Sequence, residues 1–340
     1  VTTFVHTADL HLDSPLRGLS PKRPEAERLA RDATTDALGR LVAAVLAESA
    51  DALVIAGDLW DGGHHREETV RRFREHMGTL HDAGVAVFVA DGAHDTAYPG
   101  RHAWPMPPNV HRFGHERPET RVPDGLGLAL HGHGPHAAGS PVPDFPAPVP
   151  GAVNVGVWHC GRAGGAGPAA ERALAGLGYQ YWALGHLHRR TVASASPWIV
   201  HPGALQGRGA DESGPKGATL VSTGGGAVTG VRHLDLAPVR WEVIDVDCAA
   251  GLSEALDRAR TALRRAAALL VPGARLAAVL RPVHGAVADD ALRALVDRLD
   301  RDDVPGVVSV SAAPAQAGGL PAPRSALERS HLPHGAAAPA

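Results

Sequence analysis

The sequence predicts an α/β protein: a four-layer αββα sandwich followed by a small C-terminal α+β unit that caps it. Three observations carry that prediction. Short apolar runs alternate with long helix-periodic stretches up to Ala90. Beyond Gly185 strand-like runs follow one another across Gly-rich turns, and a fresh strand–helix alternation begins at Arg240. Strand–helix–strand alternation is the mark of βαβ units and a parallel sheet.

In order, Thr2–His6 is a short apolar strand. In the stretch 25–48, Leu29, Leu38, Leu41, Val42 and Val45 fall near one helical face with charges opposite. Ala52–Ala56 and Val85–Ala90 are apolar throughout, as strands buried on both faces must be, and the helical stretch 66–83 lies between them. Shorter strands are expected at 110–113, 126–130, 153–158 and 181–184, with a Gly/Pro/Ala-rich loop over 132–150. Strands at 191–193, 198–200, 218–222 and 230–235 are expected to form a second sheet packed on the first. The final unit reads strand 240–247, helix 252–270, strand 275–281, helix 288–299 and strand 306–311. The expected division is therefore 1–238, a cap at 239–311, and a disordered tail at 312–340, where Ala, Pro and Gly dominate.

Composition excludes several classes. At 340 residues the chain exceeds the usual single domain. A formal charge of −3 supplies no global basic field, so nucleic-acid binding has no support from charge. No run of about twenty apolar residues is present, so no membrane span is expected. The first residues enter a strand without a basic leader, and the two cysteines, Cys160 and Cys248, are too few for a disulfide framework. Both point to a cytoplasmic protein.

The chemistry lies in five short segments, each directly after a predicted strand: Asp9-Leu10-His11, Gly57-Asp58-Leu59-Trp60-Asp61, Gly92-Ala93-His94-Asp95, His159-Cys160-Gly161 and Gly185-His186-Leu187-His188. In open α/β sheets ligands bind beyond the carboxyl ends of strands, so five loops at one sheet edge can converge. Carboxylate and imidazole donors suit Mn, Fe, Zn or similar divalent ions. Two ions need a bridging carboxylate, for which Asp58 is the natural candidate. Paired ions clamp a phosphoryl group and acidify a shared water. Taken alone, any one segment reads as surface or capping residues, and His159 as a core histidine; together and in order they read as a metal site. Asp95 reads as structural. His64, His65, His131, His133, His136 and His201 read as solvated loop residues.

This order of motifs resembles the calcineurin-like metallophosphoesterases, and within them the DNA-repair exonuclease branch of SbcD-like nucleases, including its YhaO-type subgroup. Thr7 to Leu16, Tyr181 to His188, and Pro202 to Arg208 leading to Gly214-Pro215-Lys216-Gly217 carry the likeness, which spans about residues 1–245 and loosens through the cap. The resemblance implies one ion held by Asp9, His11, Asp58 and His188, and a second by Asp58, His159 and His186. It implies that His94 contacts the phosphate and protonates the leaving oxygen, oriented by Asp61. Arg208 is a candidate contact to a phosphate backbone, or a partner of Asp211 or Glu212. Two divalent ions, Mn first among them, DNA as substrate, an SMC-like coiled-coil ATPase partner and a homodimer are further implications.

The sequence departs from the pattern at Ala93, where the family places an Asn that ligates the second ion; a methyl group offers no donor. Water or Asp91 is then expected in that place, and the second site is weakened. Three functions stay open: a metal-dependent DNA exonuclease, a small-molecule phosphodiesterase or phosphatase, and a weakly active scaffold that binds DNA and an ATPase.

Overall fold

In the computed structural model, which describes residues 1–20, 24–62, 66–96, 106–134, 142–160, 168–283, 288–302 and 304–313, the chain opens with β1 (Thr2–Thr7), α1 (Pro24–Ala47), β2 (Ala52–Ala56), α2 (Glu67–Asp82), β3 (Ala86–Ala90), the single turn α3 (Ala93–Thr96) and β4 (Val110–Arg112). Pro24 begins α1 where its missing N–H costs nothing and its fixed φ suits the helix. The backbone N–H of Arg66 donates to Asp13 Oδ2 at 2.8 Å, so a carboxylate from the loop after β1 caps α2. Gly84, at φ +76°, ends that helix in the left-handed conformation that glycine adopts without strain. The next elements are β5 (Glu119–Arg121), β6 (Leu128–His133), β7 (Val153–His159), α4 (Pro168–Ala175), β8 (Tyr181–Gly185), β9 (Thr191–Ala195), β10 (Trp198–His201), β11 (Gly217–Gly224) and β12 (Ala227–Asp235).

Two six-stranded sheets result, ordered β12-β11-β1-β2-β3-β4 and β5-β6-β7-β8-β10-β9. Alternation along the strands explains the layers. Val5, Leu53, Ile55, Val87 and Val89 meet Leu38, Leu41, Phe73 and Met77 of α1 and α2. Their neighbours Phe4, Val54 and Phe88 face the other way, onto Leu130, Val155, Val157 and Tyr181 of the second sheet. Trp158 and Trp182 on the far face of that sheet are covered by Leu174 of α4 with Phe145 and Tyr179. The order is helices, sheet, sheet, helix: the predicted αββα sandwich. Full burial of such side chains contributes about 1.5–3 kcal/mol each against exposure, so the strands' faces are not interchangeable.

One topological expectation is corrected. The strands after Gly185 do not form a sheet of their own: β11 and β12 pair antiparallel to β1 and complete the first sheet, while β10 pairs parallel to β8 and extends the second. The second sheet already begins at β5 and β6. Alternation encodes which face of a strand is buried, not which free edge it joins. The helix α4 and the strand β5 have no counterpart among the sequence-based expectations.

The final unit is a three-stranded parallel sheet, β13 (Val239–Asp247), β14 (Arg275–Val283) and β15 (Val307–Ala312), with α5 (Leu252–Ala267) and α6 (Asp289–Arg301). Both helices cover one face, where Ala259, Leu263, Leu295 and Leu299 meet Ile244, Leu276 and Leu280. The opposite face, with Trp241, Ala277, Val279 and Val308, packs on Ala26, Leu29 and Ala33 of α1. Ala312 and Ala313, the first two residues of the stretch expected as a tail, belong to the fold, since β15 includes Ala312 and Ala313 is buried; residues 314–340 lie outside the described residues. Among the described residues no helix is long and apolar enough to cross a membrane.

Candidate metal centre

The expectation of five loops on one sheet edge needs correction: three segments follow strands of the first sheet and two follow strands of the second. The centre therefore sits across the mouth of the sandwich. The first two segments continue pairing past their strands, with Asp9 N–H donating to Gly57 O at 2.9 Å and His11 N–H to Asp58 O at 3.0 Å. Asp9, His11 and Asp58 have φ of +52°, +43° and +51°. Such bends cost free energy in non-glycine residues and concentrate at functional sites. Two glycines keep the room these ligands need. A Cβ at Gly57 would lie 2.5 Å from His159 Nδ1, and one at Gly92 would lie 2.1 Å from Asp58 Oδ1.

Asp58 is central. Its Oδ2 lies 3.8 Å from His11 Nε2 and 3.3 Å from His159 Nε2, and its Oδ1 accepts the His94 N–H at 2.9 Å. Asp9 accepts the His186 N–H at 3.0 and 3.2 Å and lies 3.6 Å from His188 Nε2. Nε2 atoms of His11 and His188 are only 3.2 Å apart. Three sets of donor atoms, Asp9/His11/His188, His11/Asp58/His94 and Asp9/Asp58/His159, each fall within 4.8 Å of one another.

These residues fit a divalent cation. His159 Nδ1 lies 2.9 Å from the carbonyl of Ala56, so that nitrogen carries the proton in the neutral ring. Nε2 is then a lone pair, buried, without a hydrogen bond, and facing a carboxylate. Acceptor facing acceptor in a buried site is unfavourable unless a proton or a metal stands between them. With the proton there, burial opposes the charge on His159, yet the Asp58 carboxylate still pushes its pKa up to about 9. Burial likewise opposes ionisation of Asp58, but His159 and His11 hold it well below the usual carboxylate range.

Asp61 Oδ1 lies 3.3 Å from His11 Nδ1 and 3.0 Å from His94 Nδ1. It therefore supports His94, as expected, and also orients His11. The two imidazoles hold Asp61 below the usual carboxylate range, and Asp61 in turn raises His94, which is half-exposed at the rim. His186, expected in the second-ion set, borders the centre beside His159. Its backbone N–H meets Asp9, while its ring stands edge-on to His159 with centroids 5.6 Å apart, outside the three tight donor sets.

Arg208 pairs with Glu212, one of the two alternatives expected for it. Its side chain is 13% exposed, with Nη2 at 3.3 Å from Glu212 Oε1 and Nη1 at 3.7 Å from Asp61 Oδ2. Glu212 was expected only as an alternative partner of Arg208, and its contact with His188 was not foreseen. Its Oε1 lies 2.7 Å from His188 Nδ1, which makes it the outer carboxylate of a carboxylate–histidine pair. Burial would raise the Glu212 pKa, but His188 and Arg208 hold it down to about 2. No motif marks a carboxylate twenty-four residues beyond its histidine.

Ala93 is exposed at the start of α3. Asp91 does not stand in for the missing Asn: it is buried and engaged by Arg112 at 2.6 Å and His115 at 2.7 Å. Asp95 is buried and accepts the N–H groups of Gly92 at 2.7 Å, Trp60 at 2.8 Å and Leu59 at 3.3 Å, stapling the second segment to the third. Burial and the Asp91 charge push its pKa up to about 7.

His131, His133 and His201 are buried in strands rather than solvated in loops, because their strands run further than apolarity alone indicates. His131 stacks on Tyr179, with centroids 4.3 Å apart. His64, His65 and His136 lie outside the described residues. Cys160 is buried with its pKa pushed up to about 12, chiefly by burial.

Residues 2–190 match the model of the family described as calcineurin-like phosphoesterase. The chain is 30% identical over 259 residues to the uncharacterized metallophosphoesterase YhaO of Bacillus subtilis strain 168, covering 72% of this chain and 63% of that relative. It is 34% identical over 92 residues to the DNA double-strand break repair protein Mre11 of Aeropyrum pernix, covering 27% of this chain and 20% of that protein. The chain thus spans less than two thirds of either relative. A crystal structure of a dimetal phosphatase from Danio rerio aligns with a TM-score of 0.41 at 13% identity, over 65% of this chain and 92% of that one.

Proposed function

We propose, for a chain that belongs to the calcineurin-like phosphoesterase family, metal-dependent hydrolysis of the phosphodiester bonds of DNA. The observation that carries the hydrolytic reading is Asp58 Oδ2 standing between His11 Nε2 and His159 Nε2. That is where a carboxylate shared by two cations must stand. A divalent pair, when bound, neutralises phosphoryl oxygens and acidifies water. The rest falls to the chain's own residues. Asp9, His11 and His188 would hold one cation and His159 the other, with Asp58 shared between them and Asp9 close to both sets. Glu212 keeps the proton of His188 on Nδ1, so that Nε2 points inward. His94, raised by Asp61 and half-exposed, is placed to give a proton to the leaving oxygen.

The choice of DNA rests on the similarity to a protein named for double-strand break repair and on motifs shared with SbcD-like nucleases. Manganese, an SMC-like coiled-coil ATPase partner, a homodimer and a cytoplasmic setting belong to the same proposal. Ala93 favours a second reading, a scaffold that binds DNA with little turnover, because it removes one donor from the second cation.

The test is cleavage of single- and double-stranded DNA and of a bis-nitrophenyl phosphodiester across a Mn²⁺ titration, with Asp58→Ala alongside and metal content measured. Metal-dependent DNA cleavage lost in Asp58→Ala supports the nuclease. Turnover of the small ester without DNA cleavage at any metal concentration rejects DNA as substrate. One metal per chain without cleavage favours the scaffold.

A further inference from the structure

A second polar site lies away from the metal centre, on the flank where α1 and α2 meet the three-stranded sheet. It is a cavity of about 430 Å³ lined by Arg28, Arg40, Arg72, His76 and Arg275, with Gly39 among its walls. Among the described residues Glu25 and Asp36 are the carboxylates in the lining, so its four guanidiniums exceed its acids by two even with His76 neutral. Three of the arginines have acidic partners: Arg28 with Asp36 at 2.9 Å, Arg275 with Glu25 at 2.7 Å and Arg72 with Glu68 at 2.9 Å.

Arg40 differs. Its guanidinium donates to two backbone carbonyls, Gly273 O at 2.6 Å and Ala237 O at 3.4 Å. Those bonds fix it through neutral carbonyls, and Asp36 and Asp235 act on it as nearby charges. Arg275 is held to the same turn, with Nη1 3.4 Å from Ala274 O. Two like charges are thus gathered at one wall of a half-enclosed space. Burial disfavours the charge on Arg40, the nearby Asp36 and Asp235 favour it and Arg275 opposes it; an anion between Arg40 and Arg275 would favour both charges.

A glycine sits inside α1 at the pocket wall, where glycine costs about 1 kcal/mol relative to alanine. A Cβ at Gly39 would meet nothing closer than 3.7 Å, at His76 Nε2. Packing therefore does not demand the glycine, and a side chain there would enter the cavity.

We propose that this cavity binds a phosphate group, with Arg40 and Arg275 as its principal contacts. Guanidinium pairs recognise phosphate through charge-assisted, bidentate hydrogen bonds. The phosphate would sit between α1 and β14 and strengthen the seam that joins the three-stranded sheet to the sandwich. Two sources share that chemistry, a free polyphosphate and a nucleic-acid backbone. The proposal stands without the nuclease reading.

The experiment is titration calorimetry of the 340-residue chain with tripolyphosphate and with a single-stranded oligonucleotide of about twelve nucleotides. Gly39→Glu introduces a carboxylate into the cavity while replacing a poor helix former, so its thermal midpoint should equal or exceed that of the wild type. Arg40→Gln/Arg275→Gln removes the two cations, and Asp58→Asn perturbs the metal centre instead. The expected result is a tenfold or greater weakening of tripolyphosphate binding in both cavity variants and none in Asp58→Asn. Equal weakening of the oligonucleotide identifies a nucleic-acid backbone as a source; an unchanged oligonucleotide affinity assigns the cavity to free polyphosphate. No tripolyphosphate binding to the wild type at millimolar concentration, or binding that survives Gly39→Glu, overturns the proposal.

Discussion

Nδ1 of His188 lies 2.7 Å from Oε1 of Glu212, and the same Glu212 oxygen is 3.3 Å from Arg208 Nη2, whose other terminal nitrogen reaches Asp61. One arginine thus links the carboxylate behind His188 to the carboxylate behind His11 and His94. The outer supports of the centre form a connected chain rather than separate props. Removing the outer carboxylate of a metal-binding histidine typically costs 10–100-fold in metal affinity. Glu212→Gln is therefore expected to weaken Mn²⁺ binding by about tenfold or more, with the fold intact by circular dichroism. Unchanged Mn²⁺ affinity by calorimetry would show that Glu212 does not set the orientation of His188.

Ala93 offers a gain-of-function test. It is exposed, and the N–H of the next residue is already tied to Asp58. Ala93→Asn is expected to lower the Mn²⁺ concentration for half-maximal phosphodiester hydrolysis by about tenfold, without a change in thermal midpoint. A metal titration curve that overlays the wild type would mean that the asparagine does not reach the second cation.

Gly92→Ala tests the close approach of the third segment to Asp58. The added Cβ would lie 2.1 Å from Asp58 Oδ1 and 2.4 Å from its backbone nitrogen, so the carboxylate must move. A displacement of an ångström at a reacting centre costs about 100-fold. We expect a loss of that order in turnover together with a fall in metal per chain by elemental analysis. Retention of both would place Asp58 elsewhere in the working protein.

Acid should weaken the fold through its buried neutral histidines. Burial, with His201 and Arg190 nearby, pushes the pKa of His6 down to about 3, and burial pushes His201 down to about 4. The unfolded chain binds these protons near pH 6.5 and the folded chain does not. Stability is therefore complete above pH 6.5 and is lost as pH falls through the window from 6.5 toward 4. Between pH 6.5 and 5 the loss is about 1.5 kcal/mol per histidine. Urea midpoints measured across that range should fall for the wild type and fall less steeply for His6→Gln. Parallel slopes would show that His6 is protonated in the folded state.

Much of the site was legible because its residues lie in short motifs after apolar strands. Asp9, His11, Asp58, His94, His159 and His188 all appear in the three tight donor sets. The parallel order of β13, β14 and β15 also follows from strand–helix alternation. The contact of Glu212 with His188 and the locked state of Asp91 were not legible, because each depends on a partner brought close by another element. For Arg208 the sequence left a phosphate contact and a pairing with Asp211 or Glu212 both open, and the structure shows the Glu212 pair together with an approach to Asp61.

What the sequence by itself determined is local: which stretches are strands and helices, which donors sit at strand ends, and that Ala93 has no donor to offer. Tertiary structure decided how the donors face one another. It divided the five segments between two sheets, set Asp58 between His11 and His159, and placed the ring of His186 edge-on to His159. The physical reason is that periodicity encodes the buried face of an element, whereas metal-site geometry depends on which edges pair and how two sheets pack. Those choices are made by contacts between residues far apart in the chain.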